Sequence, residues 1–189
     1  MTQPVVLASA SPRRRLLLAQ LDVPFEIAPS GLDERVPDDR SVTAVVCQLA
    51  ARKARAVAGS RMTGMVLGAD TAVAVADRVL GKPADDTDAA RMLRLLRGRA
   101  HTVATAVAVV DVDRGREAVD VDVAQVTMRD YTDDEIADYI ATGEPLDKAG
   151  AYAIQGAGRA LVHAMEGRLD TVIGLPLHIA RRLLGLAEE

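Results

Sequence analysis

Two serines, a proline and three arginines lie together in Ser9-Ala10-Ser11-Pro12-Arg13-Arg14-Arg15, directly after the short apolar run Val5 to Ala8. That order is the chemistry of an anion site at a strand-to-helix turn. Ser11 suits an N-cap, and Pro12 suits the first helical position, where a missing N–H costs nothing. The helix start then offers free N–H groups and the positive end of its dipole toward Ser9 and Ser11. Arg13 and Arg14 add forked donors matched to phosphate oxygens.

Cationic residues are also unevenly divided: only Lys53, Lys82 and Lys148 are lysines, against twenty arginines. Arginine replaces lysine freely on solvated surfaces but not where a compact ammonium must fit, so the three survivors are candidates for sites needing a point charge. Lys53 falls four residues after Leu49 and seven after Val46, on the apolar stripe of a helix expected from about Ser41 to Ala58, and must snorkel or face a cleft. Lys82 and Lys148 sit in the turn-rich segments Leu80-Gly81-Lys82-Pro83 and Glu144-Pro145-Leu146-Asp147-Lys148-Ala149-Gly150. On the acidic side, Asp70 follows an apolar strand, and Asp33-Glu34 occupy a loop after another; strand ends are where α/β proteins keep their sites. Basic groups and one or two carboxylates on a single cleft suit a polyphosphate carrying Mg²⁺.

Other chemistries find less support. His101, His163 and His178 lack ligand spacing, so zinc is not expected, and no Ser/His/Asp or Cys/His set assembles. Gln155-Gly156-Ala157-Gly158 is an incomplete dinucleotide fingerprint, and no P-loop pattern occurs. Cys47 alone excludes an internal disulfide and reads as a small helix residue rather than a nucleophile. The net charge of −4 and an aromatic content of 2% argue against a general nucleic-acid binder. No apolar run reaches the ~20 residues of a membrane span, so a cytoplasmic protein is expected, monomer and homodimer both remaining open.

The elements that must position these groups alternate strand and helix over 189 residues, an α/β pattern read as one domain. Strands are expected at Val5–Ala8, Phe25–Ala28, Met65–Ala69 (continuing through Ala72–Ala76 to a hairpin at Asp77-Arg78), Thr102–Val112, Ala118–Met128 and Ala160–Met165. Beyond the two helices already placed, one is expected from an Asp86 or Thr87 cap to Arg97, one from the capping box Thr132-Asp133-Asp134-Glu135 to Gly143, and a last one from Pro176.

Taken in order, Ser9-Ala10-Ser11-Pro12-Arg13-Arg14, Asp33-Glu34, Lys53-Ala54, Gly68-Ala69-Asp70-Thr71, Gly81-Lys82-Pro83, Asp147-Lys148-Ala149-Gly150-Ala151-Tyr152 and Gly174-Leu175-Pro176-Leu177 resemble the motifs of the Maf family of nucleoside triphosphate pyrophosphatases, over nearly the whole chain. The resemblance implies a mixed twisted sheet flanked by helices, in two lobes around a central cleft, similar to inosine triphosphatases. It implies cleavage of a triphosphate to monophosphate and pyrophosphate. Arg13, Thr71 and Gln155 resemble the branch acting on dTTP and UTP, where the 7-methyl-GTP branch carries Trp, Gln and Glu. The implied mechanism has water attacking the α-phosphorus with Asp70 as general base and metal-bound pyrophosphate leaving. Glu34 and Asp70 would hold Mg²⁺, with Mn²⁺ as the alternative. Ser9, Ser11, Arg13, Arg14, Lys53 and Lys82 would bind the triphosphate, Lys148 would contact substrate, and Thr71 and Gln155 would face the base. Loss of Asp70 is expected to cost rate but little folding energy. The competing readings are a noncatalytic nucleotide sensor acting on a cell-division partner, and a 7-methyl-GTP pyrophosphatase.

Overall fold

The computed structural model describes residues 3–32, 41–76 and 78–186. Its seven strands form one mixed sheet in the order β2-β1-β3-β5-β6-β7, with β4 paired separately to β3. The strands are β1 (Val5–Leu7), β2 (Phe25–Ile27), β3 (Met65–Val75), β4 (Arg78–Leu80), β5 (Ala100–Asp111), β6 (Arg116–Met128) and β7 (Val162–Glu166). Both pairings of β1 are parallel, and every other pairing is antiparallel. The helices are α1 (Pro12–Leu18), α2 (Val42–Ala58), α3 (Asp86–Leu96), α4 (Asp133–Ala141), α5 (Leu169–Ile173) and α6 (Leu177–Leu183).

Local signals account for most starts and stops. Ser11 caps α1 and Ser41 caps α2, each accepting the N–H three residues on, and Thr132 with Glu135 closes the capping box of α4. The cap of α3 is Asp85 rather than Asp86 or Thr87: its carboxylate accepts the Asp88 N–H at 2.8 Å, so the first of several cap-competent residues wins. The carboxy-terminal strand begins at Val162, because Gly156–Leu161 coil into 3₁₀ turns before it. The last helix, α6, follows directly on Pro176, in line with the helix expected from there, and a further short helix, α5, precedes it.

Three apolar clusters explain a two-lobed shape. One lobe has two of them, on opposite faces of the sheet. Leu7, Leu17, Leu18, Leu67, Val107 and Ile179 pack β1, α1 and α6 on one face, while Val46, Ala50, Ala54, Val66, Ala104 and Ala106 pack α2 on the other. The second lobe wraps α3 and α4 around the far ends of β3, β5 and β6, through Val73, Leu93, Leu96, Val126, Met128 and Tyr131. Strands β3 and β5 run unbroken through both. The α2 interface is built of alanines, and it meets Gly68 at its tightest point. A Cβ on Gly68 would lie 2.4 Å from the Ala50 carbonyl oxygen and 2.8 Å from the Ala54 nitrogen. Nothing larger than glycine lets α2 lie this close to β3.

The register also leaves an opening. On one edge of β3, β1 pairs only as far as Leu67 and β4 only from Val73, whereas β5 pairs continuously with the other edge from Met65 to Ala74. Residues 69–72 therefore face a gap between the lobes. Among the described residues, no helix is long and apolar enough to cross a membrane.

Candidate active site

The gap opens into a cavity of about 770 Å³ lined by residues from both lobes, including Ser9, Ser11, Arg13, Arg14, Lys53, Asp70, Thr71, Lys82, Lys148 and Gln155. Ten of the eleven residues expected at the site thus meet on one cleft. The eleventh, Glu34, lies outside the described residues, as does its neighbour Asp33.

Asp70 sits within β3 rather than at its end, since the strand continues to Val75. Because side chains alternate along a strand, Asp70 points toward α2 and Thr71 toward α1 and α5. The Lys53 ammonium, delivered by the close approach of α2, lies 2.5 Å from Asp70 Oδ1, and both residues are buried, at 5% and 6% exposure. The inward lysine therefore faces the cleft with a charge partner. A buried pair of this kind couples site and fold: removing one partner strands the other charge out of water. The pairing gives Asp70 a structural partner as well as a place on the cleft.

On the opposite face, Arg14 braces the start of α1. Its Nε donates to the Gly174 carbonyl at 2.8 Å, Nη2 to Thr71 Oγ1 at 3.1 Å and Nη1 to Ser9 Oγ at 3.4 Å. Gly174 adopts φ +126°, a region L side chains rarely enter, and a Cβ there would press within 3.2 Å of Thr71 Oγ1. With only seven residues, α1 has a small dipole, so these side chains, more than the helix end, make the turn attractive to anions. Arg15 is exposed and lies outside the cleft lining.

Loops of the second lobe close the cleft. Arg13 reaches across to Asp147, Nη1 to Oδ2 at 3.4 Å. Burial pushes the Asp147 carboxyl up, but Lys148 and Arg13 outweigh it and hold it below the usual carboxylate range. The Lys148 ammonium pairs with Asp147 and donates to the Glu144 carbonyl at 2.9 Å, turned back on its own loop. Lys82 is exposed on the rim, and the neighbouring Gly81 carbonyl accepts the Gly150 N–H at 2.9 Å, tying the two lysine loops together. Gln155 is exposed on a loop clamped from below: Glu144 accepts the Ala157 N–H at 3.0 Å, and Tyr139 Oη accepts that of Ala153 at 3.1 Å.

Sequence reasoning missed Thr105 and Tyr139 and gave Gly174 and Glu144 only as members of longer segments, without a role; all four hold the lining residues rather than line the cleft with charge. Thr105 left a trace as one of two hydroxyls, with Thr102, in an otherwise largely apolar strand. His101 is buried against the Tyr152 hydroxyl at 2.7 Å, and burial lowers its imidazole to about 4; His163 and His178 are exposed. Cys47 is half-buried in α2, and burial, then the nearby Asp120 charge, raises its thiol, which keeps it protonated and unreactive.

Residues 4–187 match the family described as Maf-like protein. The chain belongs to the Maf family. Among its curated relatives, the dTTP/UTP pyrophosphatase of Moorella thermoacetica is 54% identical over 182 residues, covering 96% of this chain and 94% of that protein. The dTTP/UTP pyrophosphatase of Pelotomaculum thermopropionicum is 49% identical over 173 residues, covering 92% and 91%. That of an Anaeromyxobacter species is 49% identical over 183 residues, covering 95% and 87%.

Proposed function

We propose that this Maf protein hydrolyses nucleoside triphosphates to the monophosphate and pyrophosphate in that cleft, with dTTP and UTP as its substrates. The observation that carries the reading is the buried Lys53–Asp70 pair on the open edge of β3, facing the Ser9–Arg14 turn and Lys82 across one cleft. Relatives sharing about half of the sequence over nearly the whole chain are named for that reaction.

Asp70 is the acceptor for a proton from water. The water oxygen attacks the α-phosphorus, the α–β bridging P–O bond breaks, and its electron pair leaves on pyrophosphate. Lys53 fixes the Asp70 carboxylate and places positive charge beside the reacting phosphoryl group. Ser9, Ser11, Arg13, Arg14 and Lys82 bind the triphosphate, Lys148 completes the rim, and Thr71 and Gln155 meet the base. Positioning and electrostatics of this kind supply most of the barrier reduction in phosphoryl chemistry.

Maf-family pyrophosphatases are metal-dependent in general. Among the described residues there is no group of three or more His, Cys, Asp or Glu side chains that could cage an ion. Mg²⁺ needs only one or two carboxylates and takes its other ligands from phosphate and water. In this reading Asp70 and Glu34 would hold the ion, with Mn²⁺ as the alternative, and it would supply charge neutralisation on the departing pyrophosphate. The substrate pool and the single cysteine agree with a cytoplasmic setting, and the net charge of −4 with a nucleotide rather than a nucleic-acid partner.

The test is pyrophosphate release from a nucleotide panel with Mg²⁺. dTTP and UTP should exceed 7-methyl-GTP in kcat/KM by at least ~10-fold, roughly 1.4 kcal/mol. Gln155→Glu should shrink that gap, because glutamine offers donor and acceptor to the imide edge of a pyrimidine while glutamate only accepts. A best substrate of 7-methyl-GTP would overturn the branch assignment; binding without turnover of any nucleotide would replace the enzyme by a sensor.

A further inference from the structure

Thr71 is the outermost link of a chain of hydrogen bonds that runs from the cleft across one face of the sheet. Its register partner on β5 is Thr105, which is fully buried. The two hydroxyl oxygens are 2.9 Å apart. Thr105 Oγ1 also donates to the Thr171 carbonyl at 2.7 Å, and the equally buried Thr171 hydroxyl donates to Asp122 Oδ2 at 2.5 Å. From the cleft side, Arg14 Nη2 donates to Thr71 Oγ1 at 3.1 Å.

Counting protons fixes the direction of every link. A hydroxyl has one proton and two lone pairs, and a carbonyl only accepts. The Thr105 proton is committed to the Thr171 carbonyl, so the Thr71–Thr105 contact is made with the proton of Thr71. Thr71 therefore donates inward, accepts once from Arg14, and has a single acceptor site and no donor left for a ligand in the cleft that it lines. An apolar residue in place of Thr105 would release the Thr71 hydroxyl to rotate and donate.

We propose that Thr105 is a specificity-positioning residue: by holding the Thr71 proton it makes that wall of the cleft acceptor-only, which selects a base edge presenting an N–H. Uracil and thymine present an imide N3–H there, whereas cytosine presents a lone pair on N3. The inference rests on the reading of the cleft as a nucleotide site with Thr71 at the base, and adds to it a source of discrimination among pyrimidines. Two lone pairs left facing each other are rejected more strongly than a missing methyl group.

The experiment compares kcat/KM for UTP and CTP, with Mg²⁺, in the wild type and in Thr105→Val, Thr105→Ser and Thr71→Val. The wild type should favour UTP by at least ~10-fold. Thr105→Val should narrow that ratio by a factor of about five or more, chiefly through a gain on CTP, because the freed Thr71 hydroxyl can donate to N3. Thr105→Ser keeps the hydroxyl and should keep the ratio. Thr71→Val, which leaves Thr105 bonded to Thr171, should also narrow the ratio, and it serves if Thr105→Val does not fold. Equal loss on both nucleotides in the valine variants would show a structural role only and overturn the proposal. A wild type that hydrolyses neither UTP nor dTTP would overturn the functional reading and this inference with it, whereas an active wild type with an unmoved ratio in the variants overturns the inference alone.

Discussion

Replacing Asp70 by asparagine tests site and fold at once. The amide keeps the shape of the side chain but cannot take a proton, so the contribution of a general base, typically ~10² to 10⁴-fold, should be lost, or about 3 to 5.5 kcal/mol of barrier. The same change leaves the Lys53 ammonium buried opposite a neutral group. Breaking a buried pair from one side costs about 3 to 5 kcal/mol. The amide oxygen still accepts a hydrogen bond from Lys53, which places Asp70→Asn at the lower end, about 3 kcal/mol. For a chain of this size each kcal/mol moves Tm by about 2 to 4 °C, so a fall of about 6 to 12 °C is expected. The double variant Lys53→Met/Asp70→Asn removes both charges and should recover most of that loss, since exchanging a buried pair for apolar volume is often neutral or better. It should remain inactive. The assays are thermal melts, pyrophosphate release, and calorimetric titration with dTTP, which Asp70→Asn should still bind. Turnover comparable to wild type would remove Asp70 from the mechanism. An unchanged Tm in the single variant would mean that the pair is not coupled to folding as its 2.5 Å contact and burial require.

Three further outcomes follow from the same geometry. Lys53→Arg and Lys82→Arg should both lower kcat/KM, but only the first should lower stability, by about 1 to 3 kcal/mol of overpacking at a buried position; paired melts and kinetics separate them, and wild-type kinetics in both would mean that the lysines are there by drift. Gly68→Ala should cost about 3 kcal/mol and reduce turnover, because its methyl group meets α2 backbone rather than a movable side chain; a melt within a degree of wild type would refute the close approach. Burial lowers His101 from 6.5 to about 4. Its folded-state value being depressed, the stability it contributes is present above about pH 6.5 and is lost as pH falls toward 4. Between about pH 7 and 4.5 the wild type should lose about 2 kcal/mol more than His101→Gln in urea melts, and parallel profiles would refute it.

Much of this architecture was legible because it is written locally. Ser11-Pro12, Ser41 and the Thr132 capping box mark helix starts through bonds made within three residues, and the apolar stripe of α2 already placed Lys53 inward. The convergence of ten expected residues on one cleft followed from motifs read in order. What stayed hidden depends on partners distant in sequence. Nothing near Thr105 announces that it faces Thr71 across two strands, since one residue of register would turn it to the other face. The continuation of the strand past Asp70 was legible, but the chain cannot show that β1 stops at Leu67 and leaves Asp70 on an open edge. The pairing of Asp70 with Lys53 was hidden for the same reason: it is created by α2 lying on Gly68, a contact between backbones rather than a pattern of side chains. Glu144 and Tyr139 were passed over because each serves the Gln155 loop through hydrogen bonds set by the fold.

Hydrolysis of dTTP in ¹⁸O-labelled water, with the products followed by phosphorus NMR, tests the central claim most directly. Attack at the α-phosphorus puts one labelled oxygen in dTMP and leaves pyrophosphate unlabelled. Label in pyrophosphate, or release of inorganic phosphate and dTDP, would contradict it.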